Sequence, residues 1–203
     1  MSWQAIRRLR ERSATRVLRC QTGVSATEFA LLAPVLILML VGSLDMTQMV
    51  YANAMLRGAV EQAARDSSLE AGDTEAADKM VADTLRPILP GVLIISSRAS
   101  YYDFGDIGRP EKWEDRDLNG TCNDGEPYTD ENSSGTWEAD IGAVGNGGAG
   151  DVVIYTVRAQ YEPTFRVPFV DELLGGRVLS AASVRKNQPF ARQTEYGGRA
   201  GTC

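Results

Sequence analysis

A dense group of oxygen-bearing side chains lies between Asp115 and Glu126. The segment reads Asp-Arg-Asp-Leu-Asn-Gly-Thr-Cys-Asn-Asp-Gly-Glu and fits the pattern D-x-[DN]-x-[DN]-G-x5-E at every specified position. Positions one, three, five, seven, nine and twelve of such a loop offer oxygen ligands to a hard cation, and glycine at position six permits a sharp turn. We expect a structural calcium ion, because magnesium prefers stricter octahedral geometry and keeps several waters. The predicted ligands are Asp115, Asp117, Asn119, Thr121, Asn123 and Glu126.

A degenerate copy of this pattern begins fifteen residues later, at Asp130. Its position twelve is Ile141, so the bidentate carboxylate is missing and Glu138 or Asp140 would have to substitute for it. Pro110 and Pro127 argue against paired EF-hand helices, which favours calcium binding by the loops alone. The alternative is a solvated acidic loop that binds no ion. The predicted ligands of this copy are Asp130, Asn132, Ser134, Thr136, Glu138 and Asp140.

The charge and composition of the chain exclude several classes of function. Residues 103–140 hold twelve acidic and three basic residues, and the whole chain of 203 residues has a formal net charge of -6. A broadly cationic nucleic-acid-binding surface is therefore not expected. Histidine is absent, which rules out Ser-His-Asp triads, Cys-His pairs and HExxH zinc sites. Acids gathered in a cation-binding loop provide no distinct acid/base pair for a glycosidase, so we expect no enzymatic activity.

Residues 29–44 form an uncharged, apolar run of sixteen residues between Glu28 and Asp45. At about 1.5 Å per residue the run spans about 24 Å, and apolar flanking residues can extend it toward the 30 Å of a hydrocarbon core. Residues 1–23 contain six arginines and one glutamate, which predicts a cytoplasmic N-terminus and an extracytoplasmic bulk. A cleaved secretory signal is an alternative, although residues 42–45 make a poor small-x-small cleavage site.

The junction between the basic leader and the apolar run reads Gly23-Val24-Ser-Ala-Thr-Glu28-Phe29. This arrangement resembles type IV prepilins, in which a membrane aspartyl peptidase cuts after the glycine. The resemblance implies that Val24 becomes the new N-terminus and Glu28 the fifth residue. An ionised carboxylate at the edge of hydrocarbon is costly unless it is paired, and a neighbouring subunit's freed amino group is a suitable partner. The alternative is that Glu28 only reaches the lipid headgroups.

A narrower resemblance joins this region to the TadE-like proteins, minor pseudopilins of the tight-adherence (Tad/Flp) type IV pilus system. It implies a role in pilus assembly or initiation, with a prepilin peptidase, other Tad pilins and pseudopilins, and the inner-membrane assembly platform as partners. It also implies a single-pass protein of the bacterial inner membrane with a periplasmic C-terminal domain, or a subunit of the extracellular pilus. An uncleaved, membrane-anchored, calcium-dependent adhesion module is the alternative function. The residues that carry the resemblance are Gly23, residues 28–31, Pro34, Gly42, Asp45, residues 63–65 and residues 184–190.

The patterning predicts an α+β fold in which a long, pilin-like N-terminal helix packs on a small antiparallel sheet. Apolar residues spaced by three and four predict one helix over residues 25–70, and Asp73 is the predicted N-cap of a second helix. Strands are expected at residues 92–102, 152–161 and 178–186. The predicted divisions are a leader at 1–23, a transmembrane and amphipathic stem at 24–71, and an extracytoplasmic domain at 72–203 with an acidic insert at 103–151.

Two cysteines remain once the leader, with Cys20, is removed. Cys122 and Cys203 form an even pair in a domain expected outside the cytoplasm, where disulfides persist. We expect them to bridge, with two free thiols or an intermolecular bond as the alternatives.

Overall fold

The computed structural model describes residues 24–69, 72–164, 175–193 and 197–203. The basic leader, including Gly23 and Cys20, lies outside these residues. Within them the chain forms two α-helices and six β-strands, and the strands make a four-stranded and a two-stranded sheet. The predicted α+β class, with a long N-terminal helix on a small antiparallel sheet, is confirmed.

Helix α1 spans Val24–Ser67, so the predicted single long helix is confirmed. Its 44 residues extend about 66 Å at 1.5 Å per residue. Large apolar side chains between residues 29 and 44 are mostly exposed, whereas one face is buried from Asp45 onward. That face recurs at spacings of three and four, as a helix packed on a core requires. Its buried apolar residues are Ala52, Leu56, Ala59, Val60, Ala63 and Ala64.

Helix α2 spans Thr74–Leu85 and begins at the predicted cap. The Asp73 carboxylate accepts hydrogen bonds from the backbone N–H groups of Glu75 and Ala76 at 2.9 and 3.0 Å. These bonds satisfy donors that have no partner inside the helix. The connection from α1 to α2 passes close to the end of α1 at Gly72. A Cβ at this position would lie 2.6 Å from the Ser67 carbonyl oxygen, so the connection requires glycine there.

The larger sheet contains four antiparallel strands, β1 (Leu93–Tyr101), β3 (Ala143–Val144), β4 (Val152–Tyr161) and β5 (Arg177–Lys186). Their order across the sheet is β3-β1-β4-β5. Alternate residues of β4 face α1 and α2, and the alternation predicted for this strand is confirmed by its burial pattern. The core between helices and sheet includes Leu56, Leu85, Tyr155 and Val157.

The second sheet joins β2, Pro127–Asp130, to β6, Arg199–Thr202, in antiparallel register. Neither strand is predicted from the sequence, because each has only four residues and little apolar alternation. Their pairing brings the C-terminus of the chain against the acidic insert.

A polar cluster fastens α2 to the sheet. Asp78 accepts hydrogen bonds from Tyr155 OH at 2.6 Å and from Ser96 Oγ at 2.7 Å, and it forms an ion pair with Arg98 at 2.7 Å. The Arg98 guanidinium also lies 4.2 Å from the centre of the Tyr155 ring. Burial by itself would raise the pKa of Asp78, but the bonds from Arg98, Tyr155 and Ser96 together hold that pKa below its ordinary value.

Candidate functional site

Three of the four predicted processing residues, Val24, Glu28 and Phe29, lie in the first turns of α1. Glu28 and Phe29 are both exposed, and α1 begins at Val24, next to the Gly23 that lies outside the described residues. The helix is long and apolar enough to cross a membrane, and only 6% of its most apolar stretch of eighteen residues is buried by the rest of the protein. This unburied apolar surface suits insertion in a lipid bilayer.

The folded domain meets α1 where the apolar run ends. Asp45 is only 4% exposed, and its carboxylate accepts a hydrogen bond at 2.5 Å from Arg177 of β5. One turn later, the Gln48 side chain donates to the Ile88 carbonyl at 3.1 Å and to Thr164 Oγ1 at 3.0 Å. Glu28 precedes Asp45 by seventeen residues, or about 26 Å of helix, so nearly a full hydrocarbon thickness separates the exposed carboxylate from the domain.

The first predicted cation loop closes around Asp115. Its carboxylate accepts hydrogen bonds from the N–H groups of Asn119 at 3.1 Å and Gly120 at 2.9 Å. The bond from the Gly120 N–H is the largest influence on Asp115, and it lowers the pKa of that carboxyl group below its ordinary value. Leu118 and Gly120 have φ of 60° and 77°, so the loop turns sharply at positions four and six.

Three carboxylates converge at this loop. Single oxygens of Asp115, Asp117 and Glu126 lie within 4.8 Å of one another, and Glu126 is buried. The side-chain oxygen of Asn123, at position nine, is buried and accepts no hydrogen bond from the described residues. This donor set of several carboxylates and one unsatisfied amide oxygen fits calcium, which takes six to eight oxygen ligands.

The second loop repeats the backbone geometry of the first at a shift of fifteen residues. The Asp130 carboxylate accepts hydrogen bonds from the N–H groups of Ser134 and Gly135, each at 3.0 Å. Ser133 and Gly135 have φ of 63° and 83°, matching positions four and six of the first loop. Asn132 accepts from Ser134 N–H at 2.9 Å, as Asp117 accepts from Asn119 N–H at 3.2 Å. The degenerate copy thus folds like the complete one.

The residues proposed to replace the missing ligand of the second loop lie in different surroundings. Glu138 remains at the loop, where its Oε2 accepts a hydrogen bond from Asn132 at 2.6 Å. Asp140 instead accepts from Tyr101 OH at 3.0 Å and from Gly142 N–H at 3.1 Å. Glu111, which lies outside the sequence motif and was not among the predicted ligands, accepts hydrogen bonds from two backbone N–H groups of this loop and has no exposed surface.

A short antiparallel ribbon connects the two loops. The backbone of residues 112–114 pairs with β2 through hydrogen bonds from Glu114 N to Pro127 O at 3.0 Å and from Thr129 N to Lys112 O at 2.8 Å. Trp113 and Tyr128 form the bridge between these bonds. The first loop therefore lies at one end of the ribbon and the second loop at the other end.

A disulfide fastens the first loop to the C-terminus. Cys122, at position eight, is bonded to Cys203 with a Cα–Cα distance of 5.6 Å, and the bond spans 81 residues of sequence. The backbone N–H of Cys203 also donates to the Glu126 carbonyl at 3.0 Å. Strand β6 and the disulfide together hold the chain segment that contains Glu126.

In the described residues, the second half of a long helix packs on a small sheet, and the apolar first half is left uncovered, which suggests a protein anchored in a membrane by its N-terminal helix. Residues 23–65 match the family model described as TadE-like protein, so the resemblance inferred from the sequence is confirmed over that segment. This match indicates a role in the Tad pilus system, in association with the membrane and with other pilus components. It covers most of α1 and none of the sheet or the acidic loops. Searches of the curated proteins and of the solved structures found no match.

Proposed function

We propose that the chain is a minor pseudopilin, cut after Gly23 by a prepilin peptidase, that acts in the assembly or initiation of Tad pili. It sits in the bacterial inner membrane with its leader in the cytoplasm and its acidic domain in the periplasm. Its role is structural rather than catalytic, through contacts with other pilins and with the inner-membrane assembly platform. The observation that carries the proposal is the TadE-like match on a helix whose apolar surface between residues 29 and 44 is left uncovered by its own domain.

Glu28 acts as the register-setting residue of this subunit. Cleavage after Gly23 makes it the fifth residue of the mature chain, at the edge of the apolar run, and its side chain is exposed. In hydrocarbon this carboxylate is stable only when it is paired, and the free amino group at Val24 of a neighbouring subunit supplies the opposite charge. Pairing of this kind aligns one helix against the next before the folded domains come into contact.

Complementation of a deletion strain with Glu28→Ala tests this role. The variant should insert and be processed normally, while the number of surface pili falls at least about tenfold. Asp66→Ala removes an exposed carboxylate from the other end of the same helix and serves as the matched control. Wild-type piliation in the Glu28→Ala strain would reject the role, as would an equal defect in both variants.

The loop from Asp115 to Glu126 binds a structural calcium ion in this proposal. The motif, the three converging carboxylates and the unsatisfied Asn123 oxygen support it. Extracellular loops of this type have dissociation constants on the order of 0.1 to 1 mM. At 10 mM calcium one such ion stabilises the folded state by about 1.4 to 2.7 kcal/mol, which corresponds to a Tm increase of about 3 to 11 °C.

Thermal unfolding with 10 mM calcium, 10 mM magnesium or excess chelator measures this effect. Calcium should raise Tm over the chelated protein, and magnesium should raise it less. Asp115→Asn should reduce the calcium effect, whereas Asp124→Asn, which alters a non-ligand position of the same loop, should retain it. A calcium shift below about 1 °C in the wild-type protein contradicts a folding-linked ion.

A further inference from the structure

The fifteen-residue repeat extends further upstream than the cation motif. Glu111 precedes Glu126 by fifteen residues, Trp113 precedes Tyr128 by the same interval, and Asp115 precedes Asp130 likewise. The glutamate that closes the first loop is therefore also the first residue of the second repeat. By the same register, Glu111 is the first residue of the first repeat.

The two glutamates make equivalent contacts in different loops. Glu126 accepts hydrogen bonds from the N–H groups at positions two and nine of the first loop, Arg116 at 2.6 Å and Asn123 at 3.3 Å. Glu111 accepts from the N–H groups at the same two positions of the second loop, Glu131 at 2.8 Å and Glu138 at 3.1 Å. In each case one carboxylate oxygen binds position two and the other oxygen binds position nine.

Three carboxylates of the two loops are buried and form no ion pair with the basic side chains of the described residues. Glu111, Glu126 and Asp130 are 0%, 3% and 4% exposed. Within residues 72–164, Arg109 pairs with Asp106 and Glu131, and Arg116 pairs with Glu114, but neither arginine pairs with the three buried acids. Buried carboxylates are ordinarily paired or bound to a metal, because an isolated charge in the interior is strongly unfavourable.

We propose that the second loop is a second calcium site and that Glu111 supplies its missing bidentate carboxylate. This inference rests on the calcium binding proposed above for the first loop. Asp130, Asn132, Ser134 and Glu138 provide the other side-chain oxygens. Glu111 thereby replaces Ile141, the residue at position twelve of the linear motif.

The arrangement exchanges ligands between the two loops. The strand at residues 112–114 is flanked by Glu111, a ligand of the second site, and by Asp115, a ligand of the first. The other strand, β2, follows Glu126, a ligand of the first site, and ends at Asp130, a ligand of the second. Because the strands are paired between these ends, each ion holds both strands in place. Occupancy of one site therefore favours occupancy of the other.

Calcium calorimetry on the full-length, processed protein in detergent tests the inference. The wild-type protein should bind two calcium ions, and Glu111→Gln should bind one. Removal of groups that merely support metal ligands costs about 10- to 100-fold in affinity, so loss of this direct ligand should weaken the second site by at least about 100-fold. Glu114→Gln is the matched control, because Glu114 lies in the same strand and is exposed, and because Arg116 is the only partner of its side chain among the described residues.

The outcomes separate this inference from the calcium proposal on which it rests. Two ions in the wild-type and Glu114→Gln proteins, and one ion in Glu111→Gln, would support it. One ion in the wild-type protein, retained by Glu111→Gln and lost in Glu126→Gln, would overturn the second site and leave the first intact. No calcium binding by the wild-type protein would overturn both. If Glu111→Gln does not fold, the wild-type stoichiometry and Asp130→Asn, which should also bind one ion, decide the question.

Discussion

Substitution of Asp78 by Asn should destabilise the protein by about 2 to 3 kcal/mol. The change keeps the size of the side chain but removes the charge that faces Arg98, whose side chain is only 9% exposed. Breaking a buried ion pair typically costs about 3 to 5 kcal/mol. The Asp78 side chain is 32% exposed, so solvent screening reduces that figure. For a chain of this length the expected decrease in Tm is about 4 to 12 °C.

Circular dichroism at 222 nm during heating, on detergent-solubilised protein at pH 7, measures this decrease. Asp83→Asn is the matched control on the same helix, because Asp83 pairs with Arg86 at the surface, where both side chains are more than half exposed. That control should change the free energy of unfolding by less than about 0.5 kcal/mol. Equal changes in Tm for the two variants would refute the conclusion that the contacts of Asp78 with the sheet stabilise the fold.

The difference in stability between the wild-type protein and Asp78→Asn should depend on pH. The pKa of Asp78 is lower in the folded protein than its ordinary value of 3.8, so the folded state favours the ionised form. The stabilisation is complete above the unfolded-state pKa and is lost as pH falls through the lower, folded-state pKa. The difference in Tm between wild type and Asp78→Asn should therefore be constant from pH 7 to about pH 5 and decrease below about pH 4. A difference that grows with acidification would show that the sign is wrong.

Two further changes test the packing and the covalent link. Val60 is 1% exposed, and Val60→Ala should lower the free energy of unfolding by about 2 kcal/mol, as measured by urea denaturation. Val50 is 67% exposed on the same helix, and the control Val50→Ala should lower it by less than about 0.5 kcal/mol. Cys203→Ser should cost about 2 to 4 kcal/mol by opening the link to Cys122. The processed protein, which has lost Cys20 with the leader, should not react with a thiol reagent when it is denatured without reductant. Modification of Cys122 and Cys203 in that processed sample would contradict the bond.

The helices and the long strands were predictable because their determinants are local. The spacing of apolar residues along α1 and the cap at Asp73 each depend on residues within a turn or two. The alternation in β4 likewise requires only the residues of that strand and a half-buried sheet. The geometry of the first predicted cation loop is also local, since its proposed ligands lie within twelve consecutive residues.

The parts that sequence reasoning missed depend on contacts between distant segments. Strand β6 has four residues, two of them small, and exists because β2 and the disulfide hold it in place. Glu111 lies outside the linear motif, and its position at the second loop follows from the pairing of residues 112–114 with β2. The fifteen-residue register was the available signal, but it had to be extended upstream of Asp115 to reach Glu111.

The N-terminal sequence and intact mass of the protein isolated from native membranes test the central proposal most directly. Processing as a pseudopilin predicts a chain that begins at Val24, has lost the six arginines of the leader, and retains Glu28 as its fifth residue. A chain that still contains residues 1–23, or one cut beyond the apolar run at residue 44, would contradict prepilin-type processing and the register-setting role of Glu28.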